Sequence, residues 1–114
     1  MDDFFVDDGV LKEYTGKEEI IYIPEDVFVI GHNAFSCCTS LKSITIPSTV
    51  TLLGEEAFSN CNKLKEVYLP KTIKKIYRNT FNGCPKELIV YIDGIGQPWI
   101  NYLNKEDKVE LWKE

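Results

Sequence analysis

Apolar and polar residues alternate along a short stretch that recurs every 23 residues through most of the chain. In the clearest copy, Ile44-Thr45-Ile46-Pro47, two isoleucines flank a polar threonine and a proline follows. Alternation with a period of two is typical of a strand that buries one face. A proline has no N–H to donate, and it therefore predicts where that strand ends. Matching strands are predicted at residues 21–24 and 67–70, and a fourth at 89–92 lacks the proline.

Three kinds of residue keep this 23-residue register independently of one another. Prolines stand at 24, 47 and 70, phenylalanines at 35, 58 and 81, and cysteines at 38, 61 and 84. A unit of this length cannot bury its apolar side alone, whereas stacked units share one core. The period therefore predicts a solenoid in which equivalent residues form buried ladders: Ile23, Ile46, Leu69 and Ile92; Val27, Val50 and Ile73; Phe35, Phe58 and Phe81.

After each proline, the chain is expected to turn across the core. Gly31 and Gly54 occupy equivalent places in two units, where a glycine would permit a positive φ at a bend. The stretch Glu55-Glu56-Ala57-Phe58 places acidic residues ahead of an Ala-Phe pair, which favours a short helical turn held by packing. We therefore predict an α/β repeat, with strands on one face of the solenoid and short helical turns on the other.

The repeated unit resembles the BspA-type leucine-rich repeat, whose pattern reads L-x-x-I-x-I-P-x-x-V-x-x-I-G-x-x-A-F-x-x-C. Residues 41–61 match it at every defined position, with Leu53 in place of Ile. The resemblance implies a short right-handed leucine-rich-repeat solenoid, and it implies binding or adhesion, often at a cell surface. Departures late in the chain predict that the solenoid runs out there. They are Tyr77 for Gly, Thr80 for Ala, Glu87 for the strand-opening Leu and Asp93 for Pro.

Both ends of the chain differ from the repeat. Residues 4–14 are expected to form a hairpin around Asp8-Gly9, a favoured turn pair. Near the other end, Pro98 suits a first helical position, apolar residues follow at helical spacing over 99–103, and residues 108–112 alternate like a strand. We predict a single domain over residues 1–114, with a hairpin cap (1–17), three repeats and a fourth strand (18–93), and a helix-strand cap (94–114).

The charge of the chain argues against nucleic acid as a partner, and its lack of a long apolar run argues against insertion into a membrane. There are 13 Lys and Arg residues against 18 Asp and Glu, a formal net charge of −5, and the basic residues are scattered rather than clustered. Nucleic-acid binding through phosphate contacts is therefore not expected, and the stretch Lys71–Arg78 is interpreted as a solvated face rather than an anion site. No apolar run approaches the ~18 residues that cross a bilayer, so membrane insertion is not expected. The start, Met1-Asp2-Asp3, shows no signal peptide.

The cysteines and the one histidine could in principle carry chemistry. Equivalent cysteines on successive coils point the same way, and they do not converge as tetrahedral zinc ligands must. Buried, reduced thiols are favoured over disulfides between adjacent coils, with Cys37 exposed and most reactive. His32 is expected to be solvated. No catalytic residue, metal ligand or cofactor is predicted, and the chain is not expected to be an enzyme. Reduced thiols favour the cytoplasm, whereas the resemblance implies export or the cell surface.

The outward residues of the predicted strands form a surface that could bind a partner. Tyrosine combines a large apolar ring with a polar tip and is an efficient contact residue, although tyrosine and threonine are also common on sheets through cross-strand pairing. The candidate contact residues are Tyr22, Thr45, Tyr68 and Tyr91 in a central column, with Ile20, Ser43, Glu66 and Ile89 beside them.

Two functions are consistent with this surface and with the ends of the chain. The first is a non-enzymatic protein-interaction or adhesion-type module that binds an unknown protein or peptide. The alternative is a structural element that stacks or dimerises through its terminal caps, with Trp99 and Trp112 making a homodimer contact at the C-terminal cap.

Overall fold

A computed structural model describes residues 3–77 and 79–92 and the backbone of two short strands beyond them. Among these residues the chain forms strands and turns, and no helix. The strands, in chain order, are β1 (Phe4–Asp7), β2 (Val10–Tyr14), β3 (Ile20–Tyr22), β4 (Val29–Ile30), β5 (Ser43–Thr45), β6 (Leu52–Leu53), β7 (Glu66–Leu69), β8 (Lys75–Tyr77), β9 (Ile89–Ile92), β10 (Ile95–Pro98) and β11 (Lys108–Val109).

The strands form two sheets that run along the solenoid. The first sheet has the order β10-β9-β7-β5-β3, and its four repeat strands are parallel and in the 23-residue register. The second sheet has the order β1-β2-β4-β6-β8-β11, with β4, β6 and β8 parallel. Each of the three complete coils therefore contributes one strand to each sheet. The sequence pattern predicted the first of these strands and missed the second.

The predicted ladders form the core. In the first two predicted ladders, Ile92 is half-buried and every other member is buried: Ile23, Ile46 and Leu69, and Val27, Val50 and Ile73. A further row, Ile21, Ile44, Val67 and Val90, pairs in register across the first sheet and is also buried. The rings of Phe35 and Phe58 stack with centroids 5.2 Å apart, and those of Phe58 and Phe81 with centroids 5.6 Å apart. Stacked coils thus exclude water from side chains that a single coil would leave exposed.

The predicted N-terminal hairpin is confirmed. Strands β1 and β2 pair antiparallel around Asp8 and Gly9, both of which have a positive φ, and β2 pairs parallel with β4 of the first coil. Tyr14 lies 5.3 Å from Phe35, centroid to centroid, and Phe4 lies 5.1 Å from Tyr14. The hairpin therefore extends both the second sheet and the column of stacked rings.

The prediction of short helical turns is wrong for the described residues. In the segment after Gly31, the Ala34 N–H donates within its own turn to Gly31 O at 3.2 Å, but the Phe35 and Cys37 N–H groups donate to Ala57 O and Ser59 O of the next coil, at 2.7 and 2.8 Å. N–H groups therefore alternate between local turns and the neighbouring coil. In a helix, all of these N–H groups would point along the helix axis and donate within the segment. The hydrogen bonds to the next coil would then be lost.

The prediction of a positive φ at Gly31 and Gly54 is also wrong. A Cβ added to Gly54 would lie 2.9 Å from the carbonyl carbon of Gly31 and the backbone nitrogen of His32. These glycines are needed because stacked backbones approach closely, not because the bend is left-handed. The positive φ values of the repeat fall in two other sets: Asn33 (61°) and Glu56 (58°), one coil apart, and Cys37 (62°), Asn60 (61°) and Gly83 (84°), one coil apart from each other.

The late departures from the repeat are accommodated by specific contacts. Thr80, in place of Ala, is buried and donates its hydroxyl hydrogen to Gly54 O at 3.2 Å. Leu88, one residue after the exposed Glu87, is buried and immediately precedes β9. The fourth unit forms its strand, and β10 then pairs antiparallel with β9.

The predicted C-terminal cap is only partly described. Pro98 lies at the end of β10, so the helix predicted to begin there is wrong at that residue. Lys108 and Val109, the described part of the strand predicted over residues 108–112, form β11, which pairs antiparallel with β8. Asp93 and the positions of Trp99, residues 100–103 and Trp112 lie outside the described residues.

Candidate functional site

The eight candidate contact residues lie together on the outward side of the first sheet. Their backbones pair in two rows across four adjacent strands, and between the rows runs a third row that points into the core. We call these eight the strand face. Its first row is Ile20, Ser43, Glu66 and Ile89, and its second row is Tyr22, Thr45, Tyr68 and Tyr91.

Exposure on the strand face is greatest at the first coil. Tyr22 is 71% exposed and Ile20 60% exposed, whereas Tyr68 is 36% exposed and the other five residues are half-buried. Large apolar side chains with this exposure are unusual enough to mark contact surfaces when they adjoin one another. The first coil therefore offers the most accessible apolar area of the face.

Two of the three tyrosines on the strand face form a stacked pair. The rings of Tyr68 and Tyr91 are 4.7 Å apart between centroids and inclined by 16°. Partial burial and then the charge of Glu66 raise the pKa of the Tyr68 hydroxyl above its usual value. Thr45 separates this pair from Tyr22, whose ring has no stacking partner among the described residues.

The cysteines are free thiols with different environments. Cys61 and Cys84 are buried, Cys38 is half-buried and Cys37 is exposed, as predicted for Cys37 and for the buried pair. Burial raises the pKa of Cys38 to about 11 and that of Cys84 to about 12. A raised pKa keeps a thiol neutral and poorly nucleophilic. Within the described residues, no group of three Cys, His, Asp or Glu side chains is placed to hold a metal ion.

His32 is exposed and contacts the neighbouring coil. Its Nδ1 lies 3.0 Å from the carbonyl oxygen of Glu55, and its Nε2 lies 3.1 Å from the side-chain nitrogen of Asn33. These contacts tie the ring to a backbone carbonyl and an amide rather than to a nucleophile. The geometry gives His32 a structural part in stacking the first two coils.

One surface depression was not found from the sequence. It has a volume of about 680 Å³ and is lined by Lys42, Lys63 and Lys65 together with Leu64, Pro85, Glu87 and Asn62. The lysines are scattered along the chain, but Lys42 and Lys65 are 23 residues apart, and the repeat therefore places them on adjacent coils. The signal in the sequence is the 23-residue spacing between Lys42 and Lys65, because residues one repeat apart lie side by side on adjacent coils even though they are distant along the chain.

Sequence comparison agrees with the architecture. Residues 12–93 match a family described as "BspA type Leucine rich repeat region (6 copies)". The chain belongs to the BspA-type leucine-rich repeat family. Among curated proteins, a search finds no significant match.

Solved structures of bacterial leucine-rich repeat proteins have a similar fold. A leucine-rich repeat protein of T. pallidum, TpLRR, is 27% identical with a TM-score of 0.63, over 73% of this chain and 45% of that one. A leucine-rich repeat protein of Bacteroides capillosus ATCC 29799 is 23% identical with a TM-score of 0.54, over 75% of this chain and 86% of that one. This chain therefore spans less than half the length of the T. pallidum protein.

Family membership is consistent with a protein-interaction module. Leucine-rich repeat proteins generally act as non-enzymatic modules that bind other proteins. BspA-type proteins are often exported or on the cell surface, and the cytoplasmic location favoured by reduced thiols is not supported. Among the described residues, no helix is long and apolar enough to cross a bilayer.

Proposed function

We propose that this BspA-type domain is a non-enzymatic interaction or adhesion-type module that presents the strand face to a protein or peptide partner. The observation that carries the proposal is the continuity of the two outward rows across β3, β5, β7 and β9. Rows that are in register give a partner a flat, regularly spaced set of apolar and polar groups. Strands ~4.8 Å apart make this surface about 15–20 Å wide, which suits a peptide or a small protein contact.

Aromatic contact area supplies the binding energy in this proposal. Tyr22 is largely exposed and the Tyr68–Tyr91 pair is pre-stacked, so binding would fix few rotatable bonds in these side chains. Residues of this type dominate the energy of many protein interfaces. The half-buried Ser43, Thr45 and Glu66 provide hydrogen-bonding groups between the rings.

The test removes two rings of the strand face and compares captured partners. The Tyr22→Ala/Tyr68→Ala variant and the parent are used as bait, and bound proteins are identified by mass spectrometry. Phe5→Ala/Phe28→Ala is the matched control, because these rings are 56% and 52% exposed and lie outside the first sheet. We expect the tyrosine variant to lose about 2 kcal/mol or more of binding free energy for its partners and the control to keep them. If the folded tyrosine variant captures the same partners as the parent, the strand face is not the contact surface.

Assembly through the terminal caps remains the alternative prediction. It depends on Trp99 and Trp112, which lie outside the described residues, and no described contact favours it over the strand face. Light scattering on the intact chain tests it directly, because a strictly monomeric mass at high concentration would exclude it.

A further inference from the structure

Within the part of the chain that the structure describes, one edge of the first sheet has no neighbouring strand. Strand β3 ends this sheet and pairs only with β5. The three other edges formed by repeat strands are covered by strands outside the repeat. In the first sheet β10 pairs with β9, and in the second sheet β11 pairs with β8 and β2 pairs with β4. Among the repeat strands that the structure describes, β3 therefore lacks a partner on one side.

The backbone groups at this edge follow from the equivalent residues of the next coil. Ser43 and Thr45 turn their backbone groups toward β3, where Thr45 O accepts a hydrogen bond of 3.1 Å from the Ile23 N–H. Ile20 and Tyr22 hold the same register one coil earlier. Because alternate residues of a strand face opposite neighbours, the N–H and C=O groups of Ile20 and Tyr22 point to the open edge. The edge thus presents two donors and two acceptors in the geometry of a parallel ladder.

The side chains beside these groups are apolar and exposed. Ile20 and Tyr22 are the two most exposed large apolar side chains among the described residues, at 60% and 71%. An unpaired strand edge with exposed apolar side chains is a template on which another strand can be added. The backbone supplies the affinity in such a complex, and the alternate side chains supply the specificity.

Acidic residues flank β3 at both of its ends. Glu18 and Glu19 precede β3, Glu25 and Asp26 follow it, and all four are exposed. At the neighbouring strand, Lys42 Nζ lies 3.5 Å from Glu19 Oε1. That ion pair shows that a lysine immediately before an adjacent strand reaches a carboxylate at this end of β3.

We propose that the open edge of β3 receives an extended segment of another protein, which adds a strand to the first sheet and carries Lys or Arg on both sides of alternating apolar residues. A second copy of this chain is a poorer occupant, because two β3 edges would bring like carboxylates together and each copy has a net charge of −5. The backbone edge of β3 supplies the affinity of this contact, whereas the strand-face proposal depends on outward side chains across four coils. The edge contact goes beyond the strand-face proposal, and each can fail without the other.

The experiment uses three short synthetic probes. The first, Lys-Lys-Val-Thr-Val-Thr-Lys-Lys, has the proposed chemistry, and the second replaces its lysines by glutamates. The third is the basic probe N-methylated at alternate residues, in two versions that cover both phases, so that the N–H groups facing β3 are removed in one of them. Each is titrated into the intact, isotope-labelled chain, with amide chemical shifts as the readout.

We expect the basic probe to shift the amides of residues 19–23 and to bind more weakly as salt is added. The acidic probe and one N-methylated version should bind about tenfold more weakly or not at all. Absence of shifts at residues 19–23 with the basic probe at millimolar concentration would overturn the proposal. Equal binding of the acidic probe would do the same, as would edge-localised shifts that grow with protein concentration alone, since these would identify a second copy as the occupant.

A pair of variants at one position separates the backbone contact from the side-chain contact. Ile20→Ala removes the side chain and keeps the edge N–H, whereas Ile20→Pro also removes the N–H, which the sheet itself does not use. We expect Ile20→Pro to bind the basic probe about tenfold more weakly than Ile20→Ala. Equal affinities of the two folded variants would contradict strand addition; if Ile20→Pro does not fold, the N-methylated probes decide the question. The Tyr22→Ala/Tyr68→Ala variant keeps the edge backbone, so loss of its protein partners with retained probe binding would distinguish the two proposals.

Discussion

At the scale of single residues, two buried cysteines connect each coil to the one before it. Cys61 Sγ lies 3.0 Å from the carbonyl oxygen of Phe35, and Cys84 Sγ lies 3.2 Å from that of Phe58. Only a neutral thiol donates such a hydrogen bond, and burial disfavours the thiolate. Burial accordingly raises the pKa of both thiols, that of Cys84 to about 12.

These raised pKa values make stability depend on pH in alkaline solution. An unfolded thiol titrates near 9.0, so the stabilising contribution is fully present below that pH and is lost as the pH rises toward the folded-state value. We expect the free energy of unfolding to fall by up to about 1 kcal/mol per pH unit per thiol. Urea unfolding at about pH 8 and about pH 10.5 measures the loss.

The Cys61→Ala/Cys84→Ala variant is the control for this pH dependence. Tyrosines also titrate in the same pH range. The contribution of the thiols is therefore the difference between the parent and the variant in how much unfolding free energy each loses. The variant should be less stable at about pH 8 but should lose less stability by about pH 10.5. An equal loss in both proteins would show that the two thiols do not cause the effect.

At the scale of elements, the repeat has glycine at positions 31 and 54 because neighbouring backbones approach too closely there for a side chain. The Gly54 N–H donates to Ile30 O at 2.7 Å, and a Cβ on Gly54 would lie 2.9 Å from that same oxygen and from the Gly31 backbone. These neighbours are backbone atoms, which cannot rotate away as a side chain does. A methyl group at this position therefore forces the two coils apart.

We expect Gly54→Ala to lower the free energy of unfolding by about 1–3 kcal/mol, the usual cost of overpacking. Chemical denaturation followed by circular dichroism measures the change. Ser48→Ala is the control, because Ser48 is exposed in a turn of the same coil. If Gly54→Ala were as stable as the control, the coils would not be stacked as closely at Gly54 as the structure has them.

The elements that the sequence predicted are those with a pattern of their own. Strand β5 and its equivalents alternate over enough residues to reveal which side faces the core. Strands β4 and β6 have two residues each, too few for a periodic signal, and they were missed. The segment around Glu55–Phe58 was predicted as a helical turn because its composition suits one. Hydrogen bonds to the next coil decide its shape instead, and composition does not encode them.

At the scale of the whole molecule, the features of the site that depend on the order of strands in the sheets could not be predicted from the sequence. Alternation alone placed all eight residues of the strand face on one side. The stacking of Tyr68 on Tyr91 depends on side-chain geometry between coils, and the open edge of β3 depends on which strands cover which ends. Both are properties of the assembled solenoid, and no stretch of the sequence contains them.

The stacked rings also predict that the coils unfold together. Phe58 lies between Phe35 and Phe81, is fully buried, and belongs to a column that Tyr14 and Phe4 continue into the hairpin. Truncating it leaves a cavity that the neighbouring coils cannot fill, because hydrogen bonds hold their backbones in place. We expect Phe58→Ala to lower the free energy of unfolding by about 3–5 kcal/mol.

That loss is comparable to the whole stability of a small domain, so Phe58→Ala should be largely unfolded near room temperature. The matched control is Phe28→Ala, whose ring is 52% exposed and should cost far less. Thermal melting followed by circular dichroism compares the two variants with the parent. We propose that residues 1–114 fold as one domain, and a single transition in the parent is therefore expected. A melting temperature of Phe58→Ala within a couple of degrees of the parent would contradict the ring column, because a ring that shares its core with both neighbouring coils cannot be removed without weakening all three.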